Sequence, residues 1–199
     1  LITCLLPAEY KTTDKMPLAG WIVLVLLVDV AHVYSTLFRT YLDKDRFQKH
    51  KVLYVAIPIT CYIVGVLLYS ADALYFWRIL AYLAVYHFIR QQYGFMRLYS
   101  RQEPKDNLSA KIDVAAIYAA TLYPLIYWHC TPGRNFNWFV DGDFVQGDML
   151  FIKQAAWYVY LLIIATYLIK EVVSIAKQGH LNIPKNLVVI ITFLSWYFR

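Results

Sequence analysis

Residues 52–70 read VLYVAIPITCYIVGVLLYS, a run of nineteen residues without a single charge. A helix rises 1.5 Å per residue, so ~20 apolar residues suffice to cross a bilayer, and this run has that length. Working outward, four further stretches qualify: Met16–Leu42, Ala73–Tyr99, Ile112–His129, which is slightly short, and Met149–Ala176. A sixth apolar run, over 184–199, stops before it is long enough to cross. The expected fold is therefore all-α, a polytopic transmembrane bundle of five full spans with a partial N-terminal and a truncated C-terminal span. Residues 1–199 are expected to form one membrane domain, and the chain to be a portion of a longer protein.

Composition agrees. Apolar and aromatic residues make up 60 % and charged residues 16 %, against ~25 % charged in a usual soluble domain. Disorder, a coiled coil and a disulfide scaffold are excluded. Cys4, Cys61 and Cys130 include no C-x-x-C pair, and packing roles are expected for them. No basic n-region and small-residue cleavage site precede the first long run, so no signal peptide is expected. The excess of 19 Lys+Arg over 13 Asp+Glu gathers in the loops 43–51, 100–111 and 177–185. The loop 131–148 carries only Arg134 against Asp141, Asp143 and Asp148. By the positive-inside rule the three basic loops face the cytoplasm and 131–148 the opposite side of a cell membrane, so a nucleic-acid partner is not expected. Trp21, Trp77, Trp128, Trp138 and Trp157 fall at the outer ends of spans or in the outer loop, as an interfacial belt would. The outer loop is long enough to act as a lid, and its Asp141-Gly142-Asp143 lacks EF-hand spacing and reads as a turn. Several of the 18 tyrosines lie inside spans, where each hydroxyl needs a partner.

Ionisable groups at membrane depth are costly and persist because they pair, bind an ion or do chemistry. On the first span, positions 29, 32, 36, 39, 40 and 43 fall within about a third of the helix circumference. They place Asp29, His32 and Arg39 on one stripe. On the third, His87, Arg90, Gln91, Gly94 and Arg97 form a second, with Gly94 expected to admit a close neighbouring helix. Counted from Trp21 and from Tyr75, His32 and His87 both lie about 17–18 Å below the outer belt. With the stripes facing, His32, His87 and Asp29 are candidate ligands of one metal, iron or another first-row divalent ion, and Arg39, Arg90 and Gln91 would surround it or hold an anionic group. Two other readings stay open. One is a structural or proton-handling network in which Asp29 or Asp43 neutralises Arg39 or Arg90; the other is an anion pocket without metal. No H-x-x-x-H or H-x-x-H-H histidine box occurs.

The segments Asp29-Val-Ala-His-Val-Tyr-Ser-Thr-Leu-Phe-Arg-Thr-Tyr-Leu-Asp43 and His87-Phe-Ile-Arg-Gln-Gln-Tyr-Gly94 resemble the multi-pass bacterial membrane proteins labelled UnbU-type, a name taken from enediyne biosynthetic clusters. The resemblance extends from about Pro17 to Phe198. It implies a bacterial inner-membrane location, an earlier span ending near Leu1–Pro7, and at least one further histidine-bearing helix beyond residue 199. The expected function is a metal-dependent membrane oxidoreductase or related enzyme acting on a lipophilic small molecule that enters from lipid. The alternatives are a proton-coupled transporter or carrier of an anionic solute, and an integral scaffold.

Overall fold

In a computed structural model that describes residues 18–103, 107–179 and 181–198, every regular element among the described residues is helical. Leu1–Pro7 and Cys4 lie outside those residues. The chain opens with a helical run made of Leu18–Gly20, a π-helical stretch Trp21–Val30 and the helix α1, Ala31–Thr40. There follow α2 (Lys44–Lys49), α3 (Lys51–Ala71), α4 (Ala73–Tyr99), α5 (Leu108–His129), α6 (Leu150–Gln178) and α7 (Ile183–Tyr197).

Short polar residues start these helices for a local reason. The carboxylates of Asp43 and Asp72 and the side-chain amides of Asn107 and Asn182 each accept a backbone N–H of the first turn, at 3.1, 2.7, 2.8 and 3.2 Å. Each cap satisfies a donor that has no partner inside its helix. Gly179 ends α6 at φ 69°, a left-handed conformation that glycine adopts without a Cβ clash, and its N–H closes on the Ile175 carbonyl at 2.8 Å. The boundaries of α4 are those expected, whereas α5 begins four residues earlier than the hydropathy suggests, because Asn107 rather than Ile112 initiates it. The short helix α2 was not foreseen.

Among the described residues two helices are long and apolar enough to cross a membrane, α3 and the Leu150–Lys177 part of α6, with mean hydropathies of 2.2 and 1.9. The helices α4 and α5, 27 and 22 residues, have the length without the hydropathy. Tyrosines, with His87 and Arg90 in α4 and Asp113 in α5, dilute their aliphatic content.

By its contacts the chain resolves into two compact units, Leu1–Val66 and Leu67–Arg199. In the first, an aromatic knot ties the basic loop: the rings of Tyr41 and Phe47 lie 6.1 Å apart, Tyr41 and Tyr54 5.7 Å, and the Tyr41 hydroxyl donates to the Tyr54 carbonyl at 2.8 Å. Asp43 pairs with Arg46 at 3.6 Å, so its expected role as counter-ion to Arg39 or Arg90 gives way to a local one. In the second unit α5 is central, packed against α4, α6 and α7. Its small buried residues Ala116, Ala119 and Ala120 let neighbouring backbones come close. One apolar cluster joins Ala81, Val85 and Ile89 to Leu125, Trp128, Phe144 and Trp196; another joins Met96 to Ala116, Ile117, Tyr167 and Val189. Trp128 is thus a core residue, 4 % exposed.

The outer loop is fastened to this core. Phe144 is buried and stacks on Phe136, with ring centroids 4.2 Å apart. Asp143 is buried and its Oδ2 accepts the N–H groups of Trp138, Phe139 and Val140 at 3.0, 2.7 and 3.3 Å. The Arg78 guanidinium donates to the Gly142 carbonyl at 3.0 Å. Gly142 has φ 84°, so the Asp-Gly-Asp stretch is a turn, as its residues suggested. Packed this way, the segment is a plug over the ends of α4 and α5 where a lid was expected.

Candidate functional site

On α4 the exposed side chains of His87 and Arg90 stand one turn apart. Arg90 reaches α5: its Nη1 donates to the Tyr118 hydroxyl at 2.8 Å, and its guanidinium lies 5.0 Å from the centroid of the Tyr93 ring. Tyr93 and Tyr118 stack on each other, with centroids 5.6 Å apart. This aromatic shelf fixes the guanidinium by a hydrogen bond and a cation–π contact. Among the described residues no carboxylate lies within ion-pair distance of Arg90. His87 touches the Phe88 ring, at 5.9 Å between centroids, and its imidazole makes no hydrogen bond to the described residues. Gln91 is half-buried beside them. Gln92 turns the other way and accepts the Thr192 hydroxyl of α7 at 3.0 Å.

The remaining predicted site residues belong to the first unit. Asp29 falls in the π-helical stretch and His32 in α1; the side chains of both lie outside the described residues. Arg39 is exposed on α1. Because Trp21–Val30 is a π-helix, with hydrogen bonds reaching one residue further than in an α-helix, the projection at ~100° per residue holds only from Ala31 onward, and it does not fix the azimuth of Asp29. Among the described residues nothing lies within 4 Å of where a Cβ of Gly94 would stand. No group of three His, Cys, Asp or Glu side chains with metal-binding geometry occurs among the described residues.

A second polar constellation went unpredicted. Where α5 and α7 begin and α6 ends, Lys170 pairs with both Asp113 and Glu171. Lys185 lies 3.1 Å from Glu103, 3.2 Å from Asp113 and 3.3 Å from Glu171. The Asn186 amide donates to Glu171 at 3.1 Å and accepts the Tyr167 hydroxyl at 2.7 Å, and Asn182 donates to Glu103 at 2.7 Å. Asp113, Lys185, Glu171 and Asn186 are all buried. Three carboxylates thus share two ammonium groups, and every buried charge has an opposite partner, as its burial demands. The signal was present in the sequence as Lys170-Glu171 and Asp113 inside apolar runs. Their convergence depends on how three helices pack.

At the outer end, the Tyr82 hydroxyl donates to His129 Nε2 at 2.9 Å, while His129 Nδ1 donates to the Leu125 carbonyl at 2.7 Å. The Val145 N–H in turn donates to the Tyr82 oxygen at 3.3 Å. With both ring nitrogens so engaged, His129 fastens the outer loop to α4 and α5. Tyr118, Tyr167 and Tyr82 therefore find side-chain partners, Arg90, Asn186 and His129, rather than helix carbonyls. No protein-family model, curated protein or solved structure matches this chain.

Proposed function

We propose that the chain is a multi-pass protein of a bacterial inner membrane, of the UnbU type, that carries an anionic solute on the His87–Arg90 face of α4. In this reading 16–42, 73–99 and 112–129 cross the bilayer along with 52–70 and 149–176, and the basic loops lie in the cytoplasm. The large exposed apolar side chains of α3 and α6, such as Val52, Leu67, Leu162 and Ile169, support it, because lipid rather than water would cover them.

One observation carries the functional part. The fold neutralises Lys170 and Lys185 with carboxylates but leaves Arg90, about 25 Å along α4 from its start, on an aromatic shelf without an acidic partner among the described residues. A cation kept at membrane depth in that state is arranged to receive an anion from elsewhere. His87, one turn away, supplies a titratable imidazole for proton coupling. Proteoliposomes test this with a panel of organic phosphates and carboxylates as solutes under a pH gradient. Uptake of at least one is expected, lost in Arg90→Gln and insensitive to the gradient in His87→Ala. No uptake of any, or full uptake by Arg90→Gln, overturns the reading.

The His87 imidazole, which makes no hydrogen bond to the described residues, also favours the metal reading expected from the sequence: His32, His87 and Asp29 as ligands of iron or another first-row divalent metal, with Arg39, Arg90 and Gln91 around it, in an oxidoreductase acting on a lipophilic substrate. Protein purified without chelator should then hold metal that is lost in His32→Ala; metal-free protein, or metal retained by that variant, rejects it.

A further inference from the structure

A groove of about 420 Å³ runs between α6 and α7, lined by Trp157, Leu161, Leu168, Val189, Ile190 and Phe193 among others. From Trp157 to Leu168 it follows α6 for about 16 Å, close to the thickness of one leaflet's hydrocarbon, half of ~30 Å. Its volume falls in the range of sites that take small amphiphiles. Tyr160, which also lines it, is buried, and its hydroxyl makes no hydrogen bond to the described residues.

Tyr197 lines both this groove and a separate polar pocket. That pocket, about 230 Å³, is bounded by Tyr123, Pro124, Tyr127, Trp128 and Arg134. The Arg134 guanidinium stands 5.7 Å over the Trp128 ring. The Lys153 ammonium lies 4.3 Å over the Tyr127 ring and donates to the Thr131 hydroxyl at 3.1 Å. No described carboxylate is within ion-pair distance of Lys153. The Arg134 and Lys153 side chains stand near where α5 and α7 finish and α6 begins, the outer end of the bundle. An apolar slot one leaflet deep, capped by two cations at headgroup level, is complementary to a lipid with a negatively charged head.

We propose that this slot binds an anionic phospholipid of the outer leaflet, one acyl chain lying between α6 and α7 and the phosphate held by Arg134 and Lys153. The inference rests on the membrane reading above but not on the solute site at Arg90. Native mass spectrometry of the full chain, released from nanodiscs containing equal phosphatidylglycerol and phosphatidylcholine, tests it. One phosphatidylglycerol per chain should be retained at about tenfold preference. Arg134→Gln with Lys153→Gln should abolish the preference, and Leu161→Trp with Ile190→Trp, which fill the slot, should abolish retention of both lipids while the helical circular dichroism is unchanged. Arg90→Gln should change neither. Equal retention of the two lipids by the wild type, retention by the slot-filled variant, or a lipid-free dimer that the slot-filled variant breaks would each overturn the proposal. If alkaline carbonate extracts the chain from membranes, the membrane reading falls and this inference with it; a membrane-retained chain without lipid preference refutes this inference alone.

Discussion

Asp113 shows what one buried charge commits the chain to. It is 1 % exposed and faces both Lys170 and Lys185, so Asp113→Asn leaves two ammonium groups sharing Glu171 and Glu103. Removing one partner of a buried pair costs ~3–5 kcal/mol, and thermal unfolding in detergent should show a loss of that order. Replacing Asp113 by Leu together with Lys170 by Met should recover part of it, because neither charge then remains to be desolvated. Asp143 acts through hydrogen bonds instead. Asp143→Ala strands three backbone N–H groups, and a penalty of ~1–3 kcal/mol for an unsatisfied buried group predicts a loosened outer loop. Limited proteolysis within residues 131–148 should be faster in that variant, with α6 cleaved no sooner than in the wild type. Arg90 and His87 were legible as site candidates from their residue types and spacing alone. The five-charge cluster was not, because Glu103, Asp113, Glu171 and Lys185 are scattered over 82 positions and meet only through packing.

At the scale of elements, the helix boundaries follow from local chemistry. Capping residues at 43, 72, 107 and 182 and a left-handed glycine at 179 stop and start the chain where the apolar runs change. Asn182 has two tasks: it caps α7 and ties that cap to Glu103 and the Tyr99 carbonyl. Asn182→Ala should therefore cost more than the ~1 kcal/mol typical of a lost cap, and Asn182→Asp should keep the cap while placing a carboxylate against Glu103. Unfolding of the two variants compared with a simple cap loss, Asn107→Ala, measures the difference. The π-helical stretch Trp21–Val30 was invisible to hydropathy, which registers how apolar a helix is and not how its hydrogen bonds are threaded. The position of Asp29 relative to His32 therefore could not be read from an α-helical wheel.

For the whole molecule, the proposed membrane topology makes a prediction independent of any site. In a variant lacking Cys4, Cys61 and Cys130, a single cysteine at Gln102 or Leu181 should react with a membrane-impermeant maleimide only from the cytoplasmic side, and one at Asn135 only from the other; the reverse pattern, or labelling of all three from both sides, contradicts the five-span layout. The helical class and the uneven charge of the loops were legible in composition and in the 1.5 Å rise of a helix, since hydropathy and charge are summed along the chain and need no knowledge of neighbours. What tertiary structure alone decided is which polar groups meet. It set Arg90 on the Tyr93–Tyr118 shelf, drew Lys170 and Lys185 onto shared carboxylates, buried Trp128 and fastened the outer loop. These outcomes depend on which faces of α4, α5, α6 and α7 pack together, and a buried charge or hydroxyl is defined by its partner across that packing, which no position along the chain specifies by itself.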